Sequence, residues 1–131
     1  MTTSAQSAEF VTGYPPLDLD HQEFLALLDS LAAATDSDFP ELYKQLYAMT
    51  EQHFERENQL MQDYAFPALT EHKAEHQRVL GEFKQFQSRI NKGLVVFGRL
   101  FVTDRLPLWF KLHVATMDYA FVNHIQSQTP H

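Results

Sequence analysis

The sequence predicts an all-α protein, an antiparallel up-down-up-down four-helix bundle preceded by an extended N-terminal arm. Three observations carry that prediction. Four segments repeat their apolar residues at spacings of three and four, the period of one helix face. The connections between them are short and hold residues that stop helices (TDSD at 35–38, Phe66-Pro67, Lys92-Gly93), so consecutive helices must turn back on one another. On the same faces histidines and carboxylates recur at helical spacing, above all in HFERENQLMQDYAFPALTEHKAEH from His53 to His76. A chain of 131 residues has the size of a single domain with one core.

Residues 1–16 are the arm, ending in Tyr14-Pro15-Pro16, where two prolines oppose helix. Asp18 is the expected N-cap of a first helix over about 18–34, which turns Leu17, His21, Phe24, Leu25, Leu28, Leu31 and Ala32 inward. Asp38 and Glu41, with Pro40 in the first turn, have the form of a capping box for a second helix over about 39–64. Leu42, Leu46, Met49, His53, Leu60, Met61 and Tyr64 drift along its inner face. Pro67 is expected to open the third helix, about 67–91, with His72, His76, Val79, Leu80, Phe83 and Ile90 inward and Lys92-Gly93 as its stop. Between Leu94 and Leu108 the apolar residues keep no clean period. Pro107 fits either a helix starting near Asp104, with the proline in its first turn, or a longer helix kinked there; the first is preferred, with a short helical or irregular piece over 94–102. From Leu108, the residues Trp109, Phe110, His113, Val114, Met117, Asp118, Phe121 and Ile125 mark an amphipathic helix to about 126, and 127–131 are expected to fray.

Composition excludes several classes. Hydrophobic content of 44%, with eleven Phe, five Tyr and one Trp, is that of a folded globular protein. A net charge of -7 disfavours nucleic acid, whose phosphates require a basic face. The absence of cysteine excludes disulfides, thiolate zinc sites and iron-sulfur clusters, leaving histidine and carboxylate to carry any metal chemistry. MTTSAQSAEF has neither the basic start nor the apolar run of a signal peptide, and Leu94 to Val102 is too short to span a bilayer, so no membrane association and a cytoplasmic location are expected.

The chemistry lies in the ligand-type residues. On a helix, residues i and i+4 stand one above the other, so His53 with Glu57 and His72 with His76 each aim two donors at one point. His21 in the first helix, and His113 with Asp118 in the last, complete the set on inward faces. A lone His there is usually a hydrogen-bonded core residue. Five imidazoles and two carboxylates together are another matter, because burying them among Leu, Phe and Met without a cation costs several kcal/mol per unpaired charge. Seven donors exceed a zinc site and suit two five- or six-coordinate ions bridged by both carboxylates. His124 and His131, at or beyond the last helix's end, read as surface residues, His124 at most easing the helix dipole. One spacing requires a local device: five residues from His113 to Asp118 make about 500° of turn, roughly 140° off-face. A π-type widening near 113–118, or ligands reaching the metals from two sides, resolves it.

The series His21, HFERE from 53, HKAEH from 72 and HVATMD from 113 resembles the hemerythrin family, specifically its single-domain bacterial members, from DLDH at 18–21 through Asp118. The resemblance implies a non-haem di-iron (Fe2+/Fe3+) site, with His72, His76 and His113 on one iron and His21 and His53 on the other. Glu57 and Asp118 would bridge beside an oxo or hydroxo group. In that family O2 binds end-on at the iron with two His and is held as hydroperoxide, having taken two electrons from the irons and the proton of the bridging hydroxide. Such a site must keep one position open and stay dry, and Phe24, Phe54, Trp109 and Phe110 are the candidates to wall its O2 pocket. Phe110 stands where relatives commonly carry Leu, so its ring is expected to narrow the gas path or cover the open iron. The family's frequent Trp anchor in the arm is absent, with Phe10 or Tyr14 as its replacement.

Reversible O2 binding, for carriage, storage or delivery, is the expected function, a binding role rather than an enzymatic one. The alternative is a di-iron redox enzyme or sensor acting on O2, peroxide or nitric oxide, or iron handling. Ferritin-like oxidases use Glu-x-x-His pairs, which this chain lacks. Besides O2, a protein or redox partner is left open.

Overall fold

Proline opens the first two helices. The computed structural model describes residues 10–128, and among them are four helices and no strand. They are α1 (Pro15–Ala33), α2 (Phe39–Asp63), α3 (Leu69–Asn91) and a long rod, α4, over 95–128. Short connections join them as an all-α bundle, as the sequence predicts. Residues 1–9 and 129–131, with most of the arm, part of the tail and His131, lie outside the described residues.

α1 begins three residues earlier than expected. Pro15 and Pro16 occupy its first positions, where a missing N–H costs nothing. Asp18 is therefore no N-cap; its carboxylate reaches back to accept from Thr12 N–H and Oγ1–H at 2.6 and 2.7 Å and from Gly13 N–H at 3.0 Å, fixing the chain before the helix. Nor does Asp38 cap α2 through its side chain. Thr35 closes that turn instead, its Oγ1 accepting from Asp38 N–H and its carbonyl from Phe39 N–H. Pro67 lies in the turn before α3, which starts at Leu69.

Two C-termini end alike. Phe66 N–H bonds to Met61 C=O and Ala65 N–H to Gln62 C=O, while Leu94 N–H bonds to Arg89 C=O and Gly93 N–H to Ile90 C=O. The motif demands a left-handed residue, Ala65 at φ 51° in one case and Gly93 at φ 85° in the other.

α4 is the largest departure from expectation. It does not start near Asp104: Val95–Leu100, Phe101–Arg105, Leu106–His113, Val114–Asp118 and Tyr119–Gln128 follow without a break, the second and fourth being π turns. Leu106 N–H bonds to Phe101 C=O, five residues back, so the ladder widens just before Pro107 and the helix continues through it. Ser127 and Gln128 are helical as well. α4 also passes close to its neighbours at Gly98, where a Cβ would fall 2.5 Å from Ile90 Cδ1 and 3.0 Å from Phe39.

The apolar interior divides in two. A larger cluster holds Phe24, Leu28, Phe39, Tyr43, Phe83, Phe101 and Val114 among others, and a smaller one holds Leu17, Met61, Phe121, Val122 and Ile125. The boundary falls on every helix at a polar residue: His21 between Leu17 and Phe24, Glu57 between Phe54 and Met61, His72 and His76 before Val79, and Asp118 between Val114 and Phe121. All five are buried. No helix among the described residues is long and apolar enough to cross a membrane.

Candidate metal centre

Each helix delivers its donors to that polar layer by its own period. α3 presents His72 and His76 one turn apart, and α2 presents Glu57. α4 requires its π turn. Tyr119 N–H bonds to Val114 C=O, five residues back, and this widening brings Asp118 Oδ1 to 3.1 Å from His113 Nε2. The five-residue spacing thus has the device the sequence asked for.

Donor atoms of Glu57, His72, His76, His113 and Asp118 all lie within 4.8 Å of one another. His113 Nε2 is 3.1 Å from His72 Nε2 and 3.3 Å from His76 Nε2. Glu57 Oε1 is 2.8 Å, and Asp118 Oδ1 3.1 Å, from His72 Nε2. Both oxygens are sealed from solvent, yet neither makes a hydrogen bond. Five buried donors that converge on one point suit a cation, and the three-imidazole, two-carboxylate set is the donor chemistry of a first-row metal. His21 joins through Asp118, with Nε2 3.0 Å from Oδ2.

His53 is placed differently. Its Nε2 lies 3.2 Å from Glu23 and 3.4 Å from Asp20, so the imidazole faces α1 instead of the five-residue group.

The surroundings orient the imidazoles. His76 Nδ1–H donates to Asn58 Oδ1 at 2.9 Å and His21 Nδ1–H to Phe10 C=O at 2.9 Å, which fixes a proton on Nδ1 and turns Nε2 toward the centre. Aromatic rings hold the planes: Phe54 stacks on His76 at 3.9 Å, Trp109 on His113 at 4.6 Å, and Phe110 meets His21 edge-on at 5.2 Å. Phe10 stacks on Phe110, while Tyr14 packs against the smaller apolar cluster. Phe24, Phe54, Trp109 and Phe110 line one cavity of about 20 Å3 with His21, His53, Glu57, His113 and Asp118. A space of that size admits one water-sized molecule.

Protonation follows from this crowding. Burial, then the charge of Asp118, pushes Glu57 up to about 8. Burial alone would lower His72, but the Asp118 and Glu57 carboxylates outweigh it and raise it to about 9. Burial, then the neighbouring His72 and His113, drives His76 down to about 2. Burial favours a neutral Asp118, yet His113, His21 and His72 around it hold the carboxyl well below its usual range. Without a metal, protons on Glu57 and His72 stand in for the missing positive charge.

Some participants escape sequence reasoning. Asn58, Phe10 C=O, Asp20, Glu23 and Thr50 touch ligands or line the cavity. Only Asp20 and Glu23, flanking His21 in DHQE, had a sequence signal. His124 is half-buried, its Nε2–H donating to Tyr64 C=O at the end of α2 and not easing its own helix end.

A helical bundle with a central layer of histidine and carboxylate donors defines a helix-bundle metal-binding protein. Comparison with known proteins narrows that class. Residues 12–125 match the hemerythrin HHE cation binding domain. A bacteriohemerythrin of Ralstonia nicotianae is 35% identical over 113 residues, 86% of this chain and 82% of the relative. One from Aquifex aeolicus is 31% identical over 110 residues, 78% of this chain and 82% of the relative. The chain belongs to the hemerythrin family.

Proposed function

We propose that the chain holds two iron ions between its helices and binds O2 reversibly there, for carriage, storage or delivery. His72, His76 and His113 would hold one iron, His21 and His53 the other, and Glu57 and Asp118 would bridge them. The observation that carries this reading is the pair of buried carboxylate oxygens, Glu57 Oε1 and Asp118 Oδ1, without hydrogen bonds amid three converging imidazoles. When bound, the iron pair supplies the electrons that make O2 binding possible, with a bridging oxo or hydroxo group as proton store.

The protein's part is to orient and to exclude. Asn58 and the Phe10 carbonyl keep two imidazoles in the ligating tautomer. Phe24, Phe54, Trp109 and Phe110 leave room for one small molecule and keep bulk water, which promotes irreversible oxidation, away. For His53 to serve, its side chain must turn from Asp20 and Glu23 toward the cavity it already lines.

The test is an optical titration of anaerobically loaded ferrous protein through cycles of air and argon. At two irons per chain, a charge-transfer band that grows with O2 and vanishes under argon is expected. A band that forms once and persists transfers the assignment to a redox enzyme or sensor, and failure to bind iron stoichiometrically removes the ligand set.

A further inference from the structure

Outside the five-residue group lies a second set of donors. Asp20, Glu23 and His53 place three ligand atoms within 4.8 Å of one another. We propose that these three residues form a staging site, which captures a divalent cation from solvent and passes it to the buried centre; the proposal rests on the metal-binding reading above.

Its position argues for transit. Side-chain exposure falls from 48% at Glu23 through 17% at Asp20 to 9% at His53, then to 9% at Glu57 and 2% at Asp118. The donors thus form a graded series from water to core. Asp20 and His53 belong to both ends of it, since they also line the cavity into which the buried carboxylates of Glu57 and Asp118 face. Both of those carboxylates have an oxygen without a hydrogen-bond partner, so the inner end of the path is an acceptor for positive charge.

The chemistry fits a passing ion. One imidazole and two carboxylates bind first-row divalent metals, and a half-exposed set leaves water on the ion, so it can leave as well as arrive. Covalent geometry supplies the handover. His53 lies one helical turn before Glu57, and a change of its rotamer carries Nε2 from the outer carboxylates toward the inner one. Asp20 stands beside His21 on α1, and His21 Nε2 is 3.0 Å from Asp118 Oδ2, so the outer set borders the inner one along α1 as well as α2. Arg56 is the competitor, its guanidinium 2.6 Å from Asp20 Oδ1 and more than half exposed. An arriving cation displaces it.

Uptake kinetics test this on the full chain. Metal-free protein is mixed anaerobically with Co2+, and the d–d absorption is followed in a stopped-flow instrument, with metal content per chain measured at the end. Glu23→Gln and Asp20→Asn are expected to slow loading on the order of ten-fold, as loss of electrostatic focusing does, and to reach the wild-type metal content. Arg56→Gln should load faster than wild type. Glu41→Gln, the same charge change on α2 about 18 Å from His53, controls for net charge. Rates of Glu23→Gln and Asp20→Asn no slower than the control overturn the proposal. So does a lower final metal content, which would make these carboxylates permanent ligands. Wild-type protein that takes up no Co2+ instead overturns the metal centre itself.

Discussion

Glu57 and His72 carry protons where a cation would stand, and this gives the centre a definite pH dependence. Both are raised, to about 8 and about 9. Their contribution to the stability of the metal-free fold is therefore complete below their ordinary values of 4.5 and 6.5, and is lost as pH rises through about 8 and 9. His76, depressed to about 2, works in the other direction, its contribution present above 6.5 and lost as pH falls. Iron must displace the protons of Glu57 and His72, so apparent affinity should climb with pH up to about 9. A ferrous titration in weak buffer with an indicator dye should register proton release near neutrality, and its absence would contradict the protonation described. Phe110 makes a second residue-scale prediction. Its ring packs between Phe10 and Phe24, at 5.2 and 4.5 Å, and meets His21 edge-on. Phe110→Leu should widen the cavity, quicken O2 exchange and autoxidation, and cost about 1–2 kcal/mol of stability. Unchanged rates in stopped-flow and in the decay of the oxygenated band would remove Phe110 as a gate. At this scale the sequence was legible for ligand type and spacing but not for rotamer. The i,i+4 pairing puts His53 on the right face, yet nothing local reveals that its ring turns toward Glu23. Asn58 looks like any helix amide until α3 brings His76 against it.

Among the elements, α4 bears the strongest constraint. Its second π turn exists where His113 and Asp118 must serve one point. Inserting an alanine after Thr116, an exposed residue inside that turn, should set Asp118 six residues from His113, about 240° round a regular helix, whereas deleting Thr116 should restore a regular helix with the pair four apart on one face. Circular dichroism should stay helical in both variants while stoichiometric metal binding disappears in the insertion alone; retention of both metals in the insertion variant would show that the register of the turn is dispensable. This turn could be read from sequence because ligand geometry demanded it. The first π turn could not, since no donor pair spans it and Pro107 looked like a helix start. The prolines of α1 misled in the opposite sense, because the rule against helical proline applies to the interior and not to the first turn.

For the molecule as a whole, the donor layer lies between two apolar clusters and draws on every helix. Metal at that level should tie the four helices together, and its removal should leave them helical, since the larger cluster is complete without it. Loading to two irons is expected to raise Tm on the order of 10 °C, reversed by a chelator. A scan showing equal Tm at full occupancy would mean that the centre forms no cross-link between helices. The bundle itself was legible because its period and its stops are local signals. The docking of the chain before α1 was legible only as a choice between Phe10 and Tyr14: Phe10 reaches His21 and Phe110 only after the helices have assembled.

The single tryptophan of the chain lies almost parallel to His113, 20° off at 4.6 Å, with its indole N–H held by Glu75. Its emission is consequently a built-in gauge. A paramagnetic ion held by His113 should quench it, so occupancy can be followed by intrinsic fluorescence with no label, even where the absorption of the metal is too weak to see.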